Sequence, residues 1–458
     1  VQETVLPSNV TFVFGSFVAP MQMYREAATS FAHHISSCCC SLMTADKNMI
    51  VTLLQSFSQK MLQVVNAGAT WHQGEKVGLL DLLRIFYSRG ATDPRDRIYG
   101  LLSLVTEKRE NSLPIIPDYT ISKKSLYQDV AIHSIQSSRT LDIFSFLTFV
   151  DLVRINQTLN KLYRRTPDSG PLYLDLPTWC PDWKESLQHP WGQYASAQIV
   201  RNALFNTSLG RTCPFPKPLY GSSQQIARTK LLPVSAIPVG KIISLTGAGW
   251  SILMKELESI REDSIPLPEN PKELKETPYR GGGSEYNALW RTLCADSFPT
   301  STSTDIHLEA NFRRAEDEDG EKIMLWRKWL GKLKIGGGET MATLPEEVKG
   351  EERILWEQAD AAVRAAVLER KVVRLERGWI GLLSLMTNIG DEVVVLEGGR
   401  VPVVLRGMGR MKVLGEGEVV GEEERDVYAY MGECYIHGIM DGEIVSKGMG
   451  QAREMFLI

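Results

Sequence analysis

The sequence predicts an α+β protein, and three observations carry that reading. Apolar residues recur at helical spacing through much of the first half. Valine-rich runs bounded by Gly turns fill the region after about residue 370. Between them lie long Pro-, Gly- and acid-rich stretches. The expected architecture is a mostly helical N-terminal half with an αα-hairpin, a mixed middle with long loops, and a small antiparallel β-sheet or barrel at the C-terminus.

The hairpin is the best-signalled element. Leu79, Leu82, Leu83 and Phe86 repeat at i, i+3, i+4, i+7, one face of a helix, and Ile98, Leu101, Leu102 and Val105 repeat that spacing. Between the two runs Gly90 suits a left-handed helix end. Asp93 then offers an N-cap oxygen, Pro94 fits the first helical position, and Asp96 follows three residues after the cap. Arg84, Arg89, Arg95 and Arg97 lie close to Asp81, Asp93 and Asp96. Arginines in such a cluster can bind a phosphate or a carboxylate. The near-balance of acids and bases favours a salt-bridged elbow instead.

The remaining elements follow in order. Val5 to Phe17 reads as a short strand broken by Pro7, Ser8 and Asn9. Helices are expected from Met21 to His34 and from Asn48 to Val65, and another within Asp118 to Ser138, capped by Ser122 with Leu126, Val130 and Ile135 inward. Leu141 to Val153 is apolar enough for a buried helix or a strand, and periodicity leaves both open. Pro171 to Trp183 is extended, because Pro177 and Pro181 restrict the residues before them. Its Trp179 and Trp183 suit an aromatic ligand platform or, preferably, a strap that plugs a core. Asn206 to Gly221 reads as a loop, Lys241 to Ala248 as a strand, Ser251 to Ile260 as a helix and Arg261 to Ser284 as a linker. Gly281, Gly282 and Gly283 lack the Lys-Ser/Thr that follows a phosphate loop.

Helices are expected again over Tyr286–Ala295, Ile323–Leu333 and Glu351–Arg370, the last with Trp356, Ala359, Val363 and Ala366 on one stripe. Ser301 to Glu321 is polar and acidic, and a mobile stretch is expected from Gly336 to Gly350. Glu392–Leu396 and Val401–Leu405 form a hairpin pattern, with Pro402 at an edge or a strand start. A polar tip at Gly415–Glu424 precedes a strand from Val427 to Ile436, and turns follow at His437-Gly438 and Asp441-Gly442.

Composition narrows the class. A net charge of -4 gives no reason to expect nucleic acid as a partner. No apolar run approaches the roughly 20 residues of a membrane span. Seven cysteines, three adjacent at Cys38, Cys39 and Cys40, argue against a secreted disulfide framework and for a reducing, cytoplasmic setting. That triplet also suits lipid attachment, a weaker reading. The sequons at Asn9, Asn156 and Asn206 are read as chance.

Four stretches together resemble the region that follows the HET domain in fungal heterokaryon incompatibility proteins. The first runs from Ala91 to Leu102 and includes Asp93, Pro94, Arg95, Asp96 and Tyr99. The second is Pro117-Asp118-Tyr119. The third is Leu176 to Trp183, with Pro177, Trp179, Pro181, Asp182 and Trp183. The fourth joins Gly390-Asp391, then Pro402, Leu405 and Arg406, then Gly432-Glu433 and His437-Gly438. Gln2 and Glu3 resemble the end of the last HET-domain motif, and the earlier motifs are absent. The chain is therefore expected to begin where a HET domain ends. The expected division is a residual HET-domain end at 1–17, a mainly helical body with the Trp strap at 18–260, helices with flexible linkers at 261–350, and a long helix plus β-rich subdomain at 351–458.

The resemblance implies a nonself-recognition protein that triggers programmed cell death, and a regulatory rather than catalytic part of it. The implied partner is another protein or the protein's own upstream HET domain, with no cofactor. The alternative implied is a TIR-like NAD-cleaving enzyme whose catalytic domain is missing or incomplete here. From the residues alone, Glu433, Cys434, His437 and Asp441 are the best local candidates for chemistry. Zinc is disfavoured because no second Cys-x-x-His set exists. A Cys434–His437 nucleophile is disfavoured because an odd separation puts the two on opposite strand faces. No Gly-x-Ser-x-Gly, His-Glu-x-x-His or Gly-x-Gly-x-x-Gly sequence occurs. The family-motif residues are accordingly read as structural, with no catalytic, cofactor or metal site.

Overall fold

Helices dominate early and strands late, as the apolar spacing predicts. The computed structural model describes residues 1–36, 49–86, 89–107, 115–147, 149–164, 174–184, 198–213, 219–222, 226, 229–245, 271–300, 312–330, 334–335, 342–343, 348–414 and 423–458. These fall into two units. Val1–Leu126 with Trp183 and Lys184 make the first, and the other described residues make the second. The cysteine triplet, the expected helix at 251–260 and most of the polar tip at 415–424 lie outside the described residues.

In the first unit a short helix (Gln2–Val5) leads into a hairpin of Thr11–Phe14 and Phe17–Pro20, paired from Thr11↔Pro20 to Phe14↔Phe17. The single strand expected over 5–17 is thus a helical turn and a two-stranded hairpin. Gly15, at φ +60°, allows the tight reversal. Phe14 and Phe17 are 83% and 78% exposed, while Phe12 packs edge-to-face on Tyr24 at 5.0 Å. The helices Met21–Ser36 and Met49–His72 match their expected starts, and the second runs further than expected, to His72.

The elbow follows, and its second arm is shorter than the apolar spacing predicts. Leu79–Ile85 forms the first arm. Beyond the turn come one α-turn, Asp96–Tyr99, and one 3-10 turn, Leu102–Leu104. The chain leaves helix at Val105 because Thr106 and Glu107 donate their amides to Val77 O, both at 3.1 Å. The Thr106 hydroxyl meanwhile accepts from Val77 N at 2.8 Å and donates to Glu75 O. These ties compete successfully with a further helical turn. Asp93 does not act as an N-cap. Its carboxylate accepts from Arg95 N two residues on, an Asx-turn, and Arg95 itself precedes the helical turn.

The second unit opens with the remaining turns of Lys123–Ser138, whose first turn is capped by Ser122 Oγ accepting from Ser125 N at 3.1 Å. Val130 and Ile135 are fully buried there, as expected. The ambiguous apolar run resolves as a 3-10 helix, Asp142–Phe146, followed by an α-helix, Phe149–Tyr163. The strap over 174–182 buries Leu176, Trp179 and Cys180. Thr178 N donates to Ile458 O at 2.7 Å, and Tyr430 N donates to Thr178 Oγ1 at 3.0 Å, so the strap ties two strands together.

Five strands close on themselves. Glu392–Leu396 pairs with Val403–Leu414, which pairs with Glu423–Glu433. That strand pairs with Arg453–Leu457, which pairs with Thr229–Leu245, which returns to Glu392–Leu396. The result is a small barrel with one parallel junction, between Glu423–Glu433 and Arg453–Leu457, where an antiparallel sheet is expected. Closure removes open edges that would otherwise template aggregation. Its strands are apolar and buried: Val393, Val404, Leu405, Val427, Ala429 and Leu457 are all fully buried.

The strand Thr229–Leu245 begins twelve residues before the expected start at Lys241. Pro233 and Pro238 disguise it, since proline is unusual in a paired strand. Pro233 sits opposite Phe456, and Pro238 lies beside the register shift between Val393 and Val394. The far end of the same strand pairs with Arg370–Leu375, extending the sheet through Ile380–Ser384 to Tyr435–Ile436.

The segment after residue 270 is also more ordered than the expected linker. Tyr279 is buried, and its hydroxyl accepts from Ile380 N at 3.0 Å and donates to His437 O at 3.1 Å. A Cβ on Gly281 would lie 3.0 Å from Gly438 Cα, so glycine here permits backbone to pass against backbone. The helices Glu285–Leu293, Asp319–Leu330 and Gly350–Val367 match the expected elements closely, with Trp290, Trp326 and Trp356 buried.

Candidate functional site

The barrel strand Glu423–Glu433 ends where the chain must turn sharply. Gly432 has φ +114°, and a Cβ there would lie 2.8 Å from Leu152 Cδ1, so only glycine fits. The turn directs Glu433 into a polar nest. Ser145 Oγ donates to Oε1 at 2.8 Å, Asn202 Nδ2 donates to Oε2 at 2.6 Å, and Gln198 Nε2 donates to Oε2 at 3.5 Å. Ser145 lies on the 3-10 helix Asp142–Phe146, and Gln198 and Asn202 share a helical turn over 198–202. One carboxylate therefore joins three segments of the second unit.

The electrostatics of the nest are opposed. Burial disfavours the carboxylate and raises its pKa to about 7. The Ser145 hydroxyl, the buried Arg370 guanidinium and the Gln198 amide pull the other way, and Asp142 adds to the rise. Burial also draws the Arg370 pKa down. A carboxyl poised near neutrality can exchange a proton in the physiological range.

The other three sequence candidates do not join it. The Cys434 thiol donates to Pro402 O at 3.3 Å, and burial pushes its pKa up, the reverse of an activated nucleophile. His437 Nδ1 lies 2.8 Å from the Tyr435 hydroxyl, and burial lowers the imidazole to about 4, so it is neutral at pH 7. Asp441 accepts from Arg314 at 2.8 and 3.0 Å. Arg314 also binds the buried Asp296, which accepts from Arg291 at 2.5 Å. Among the described residues no group of His, Cys, Asp and Glu could hold a metal ion.

The second ionic site of the barrel is Asp391 with Arg406. Nε and Nη2 of Arg406 donate to the two carboxylate oxygens, both at 2.9 Å. Arg406 also donates to Asn156 Oδ1 at 3.1 Å and to Met386 O at 2.8 Å, while Asn388 N donates to Asp391 at 2.8 Å. Gly390 precedes at φ +92°. This bidentate pair, 5% and 7% exposed, holds the turn before Glu392–Leu396 against the Val403–Leu414 strand.

In the first unit the elbow residues gather as expected. Arg95 holds Asp93 at 2.7 Å and donates to Ile121 O at 3.0 Å. Tyr119 donates to Asp96 at 2.5 Å, and Tyr99 donates to Asp118 O at 2.9 Å. Gln2 and Glu3 lie on the short first helix. Of the two strap tryptophans, Trp179 belongs to the second unit and Trp183 to the first.

Comparison with known proteins agrees with this geometry. Residues 272–458 match the Het-6 beta-barrel domain. That part of the chain is similar to the Het-6 barrel. Heterokaryon incompatibility protein 6, OR allele, of Neurospora crassa is 24% identical over 481 residues, covering 97% of this chain and 63% of its own length. The chain thus spans less than two thirds of that relative. The motif resemblance to fungal heterokaryon incompatibility proteins stands on both findings. No solved structure matches the chain. In this chain the ring also takes in Thr229–Leu245, a strand that precedes the matched residues. Among the described residues no helix is long and apolar enough to cross a membrane.

Sequence reasoning named Glu433 but missed Ser145, Gln198 and Asn202. The hydroxyl is 288 residues away and the amides more than 230, and no local pattern links such positions.

Proposed function

We propose that this chain is the non-catalytic recognition and regulatory region of a fungal nonself-recognition protein that triggers programmed cell death. The similarity to the Neurospora crassa incompatibility protein supports the setting. The observation that carries the regulatory reading is the use to which the motif residues are put. Asp93, Asp391, Arg406 and Glu433 all engage other groups of this chain, which suits a scaffold that holds a defined shape for a protein partner or an upstream HET domain.

The test is made in fusing fungal cells. Deleting residues 272–458 from the expressed gene is expected to uncouple cell death from the identity of the fusion partner. Fusion-dependent death unchanged by the deletion would overturn the proposal. A second reading is favoured by one observation, the Glu433 carboxyl poised near neutrality beside a hydroxyl. It is separated by incubating the purified chain with NAD. Intact nucleotide is expected, and consumption abolished by Glu433→Ala would install the enzymatic reading instead.

A further inference from the structure

The elbow of the first unit holds a cleft of about 370 Å³, within the roughly 300–1,000 Å³ typical of small-molecule sites. Its walls divide by chemistry. Phe86, Leu101 and Trp183 supply an apolar face, and Arg89, Arg97 and Thr92 supply polar groups. Asp96 also lines it, with its carboxylate already accepting from the Tyr119 hydroxyl.

The elbow arginines are not equivalent. Arg95 is neutralised by Asp93 and bound to the Ile121 carbonyl. Arg84 faces Asp81 at 4.0 Å. Arg97 donates from Nε to the Trp183 backbone carbonyl at 2.6 Å, which holds the main chain of Trp183 beside the cleft. Arg89 differs from Arg84 and Arg95. It donates from Nη2 to Lys60 O at 2.5 Å, its Nε is buried without a hydrogen-bond partner, and no carboxylate lies within 4 Å of it among the described residues. A partly buried guanidinium without a counter-ion carries an unbalanced charge and an unused donor, and the group that satisfies both is an anionic oxygen. Burial accordingly draws its pKa down.

We propose that this cleft binds a small organic anion, its carboxylate or phosphate on Arg89 and its apolar body against Phe86, Leu101 and Trp183. Asp96 limits the ligand to one anionic end, because a second negative group beside that carboxylate would be repelled. The inference is independent of the Het-6 barrel and of any role in cell death.

The full chain is titrated calorimetrically with benzoate, with inorganic phosphate and with chloride at matched ionic strength. Benzoate is expected to bind saturably, at least ten-fold more tightly than phosphate, and chloride not at all. Arg89→Gln is expected to weaken benzoate at least ten-fold. Absent or non-saturable benzoate binding, or an unchanged affinity in Arg89→Gln, would overturn the proposal. Phosphate binding as tight as benzoate would remove the apolar half of the site and overturn it in this form. A second measurement needs no variant: benzoate should slow phenylglyoxal modification of Arg89 several-fold, read by mass spectrometry, while leaving the exposed Arg410 unaffected. Equal modification rates at Arg89 with and without benzoate would overturn it.

Discussion

Two aspartate–arginine pairs in this chain use the same chemistry in different surroundings. At the elbow, Asp93 and Arg95 are two residues apart, 2.7 Å in contact, with side chains 31% and 23% exposed. In the barrel, Asp391 and Arg406 are fifteen residues apart, bidentate at 2.9 Å, and nearly sealed from water. The elbow pair shapes a local turn and competes with solvent for every contact. The barrel pair has no solvent to fall back on, so losing one partner strands the other in an apolar interior. Separation in sequence and burial rise together here, and with them the cost of a break.

The largest expected effect tests that contrast directly. Arg406→Met leaves Asp391 buried with the Asn388 amide as its remaining donor among the described residues, and should destabilise the second unit by about 3–5 kcal/mol. Urea unfolding followed by hydrogen exchange at barrel amides measures it. A loss no greater than that of Asp93→Asn would erase the difference between the two pairs.

The next effect concerns Glu433, whose pKa rises from an ordinary 4.5 to about 7. The folded state holds this proton more tightly than the unfolded chain. The stabilisation is therefore complete below about pH 4.5 and is lost as pH rises through 7, up to about 3 kcal/mol in all. Glu433→Gln should flatten that part of the pH–stability curve, leaving the variant more stable than the parent at pH 8. A parallel pair of curves between pH 4.5 and 8 would refute the raised pKa. This sharpens the comparison, because it sets a buried carboxylate held by a bidentate arginine beside one held by amides and a hydroxyl.

Gly438→Ala should cost about 2 kcal/mol or more in thermal or urea unfolding. Its φ of +81° disfavours a side chain, and the new Cβ would lie 2.7 Å from Gly281 Cα. The smallest effect is expected for Asp93→Asn, which removes charge from a solvated turn. The melting of the first unit should shift least of the four variants, and a shift matching that of Arg406→Met would show the elbow pair to be as critical as the buried one.

Much of the architecture is legible in the sequence. Trp356, Ala359 and Val363 repeat at a helix's own period and are buried on one face. The Asp93–Arg95 contact is legible because the two are neighbours, whereas the contact of Tyr119 with Asp96, 23 residues away, is not. The second elbow arm is shorter than its spacing predicts, because the apolar spacing that marks a helix also fits one α-turn and a 3-10 turn. Pro233 and Pro238 hid a barrel strand, since a register shift that accommodates proline is set by the partner strand.

By itself, the sequence determined the α+β class, most helical spans, the gathering of charges at the elbow and the resemblance to heterokaryon incompatibility proteins. Those properties reside in residues near one another or in fixed motifs. Only the tertiary structure decided that the barrel closes through Thr229–Leu245, that Glu433 meets Ser145, and that Arg89, among the described residues, lacks the counter-ion Arg95 possesses. Closure, desolvation and charge balance depend on which distant atoms share a small volume, and chain order does not encode that volume locally.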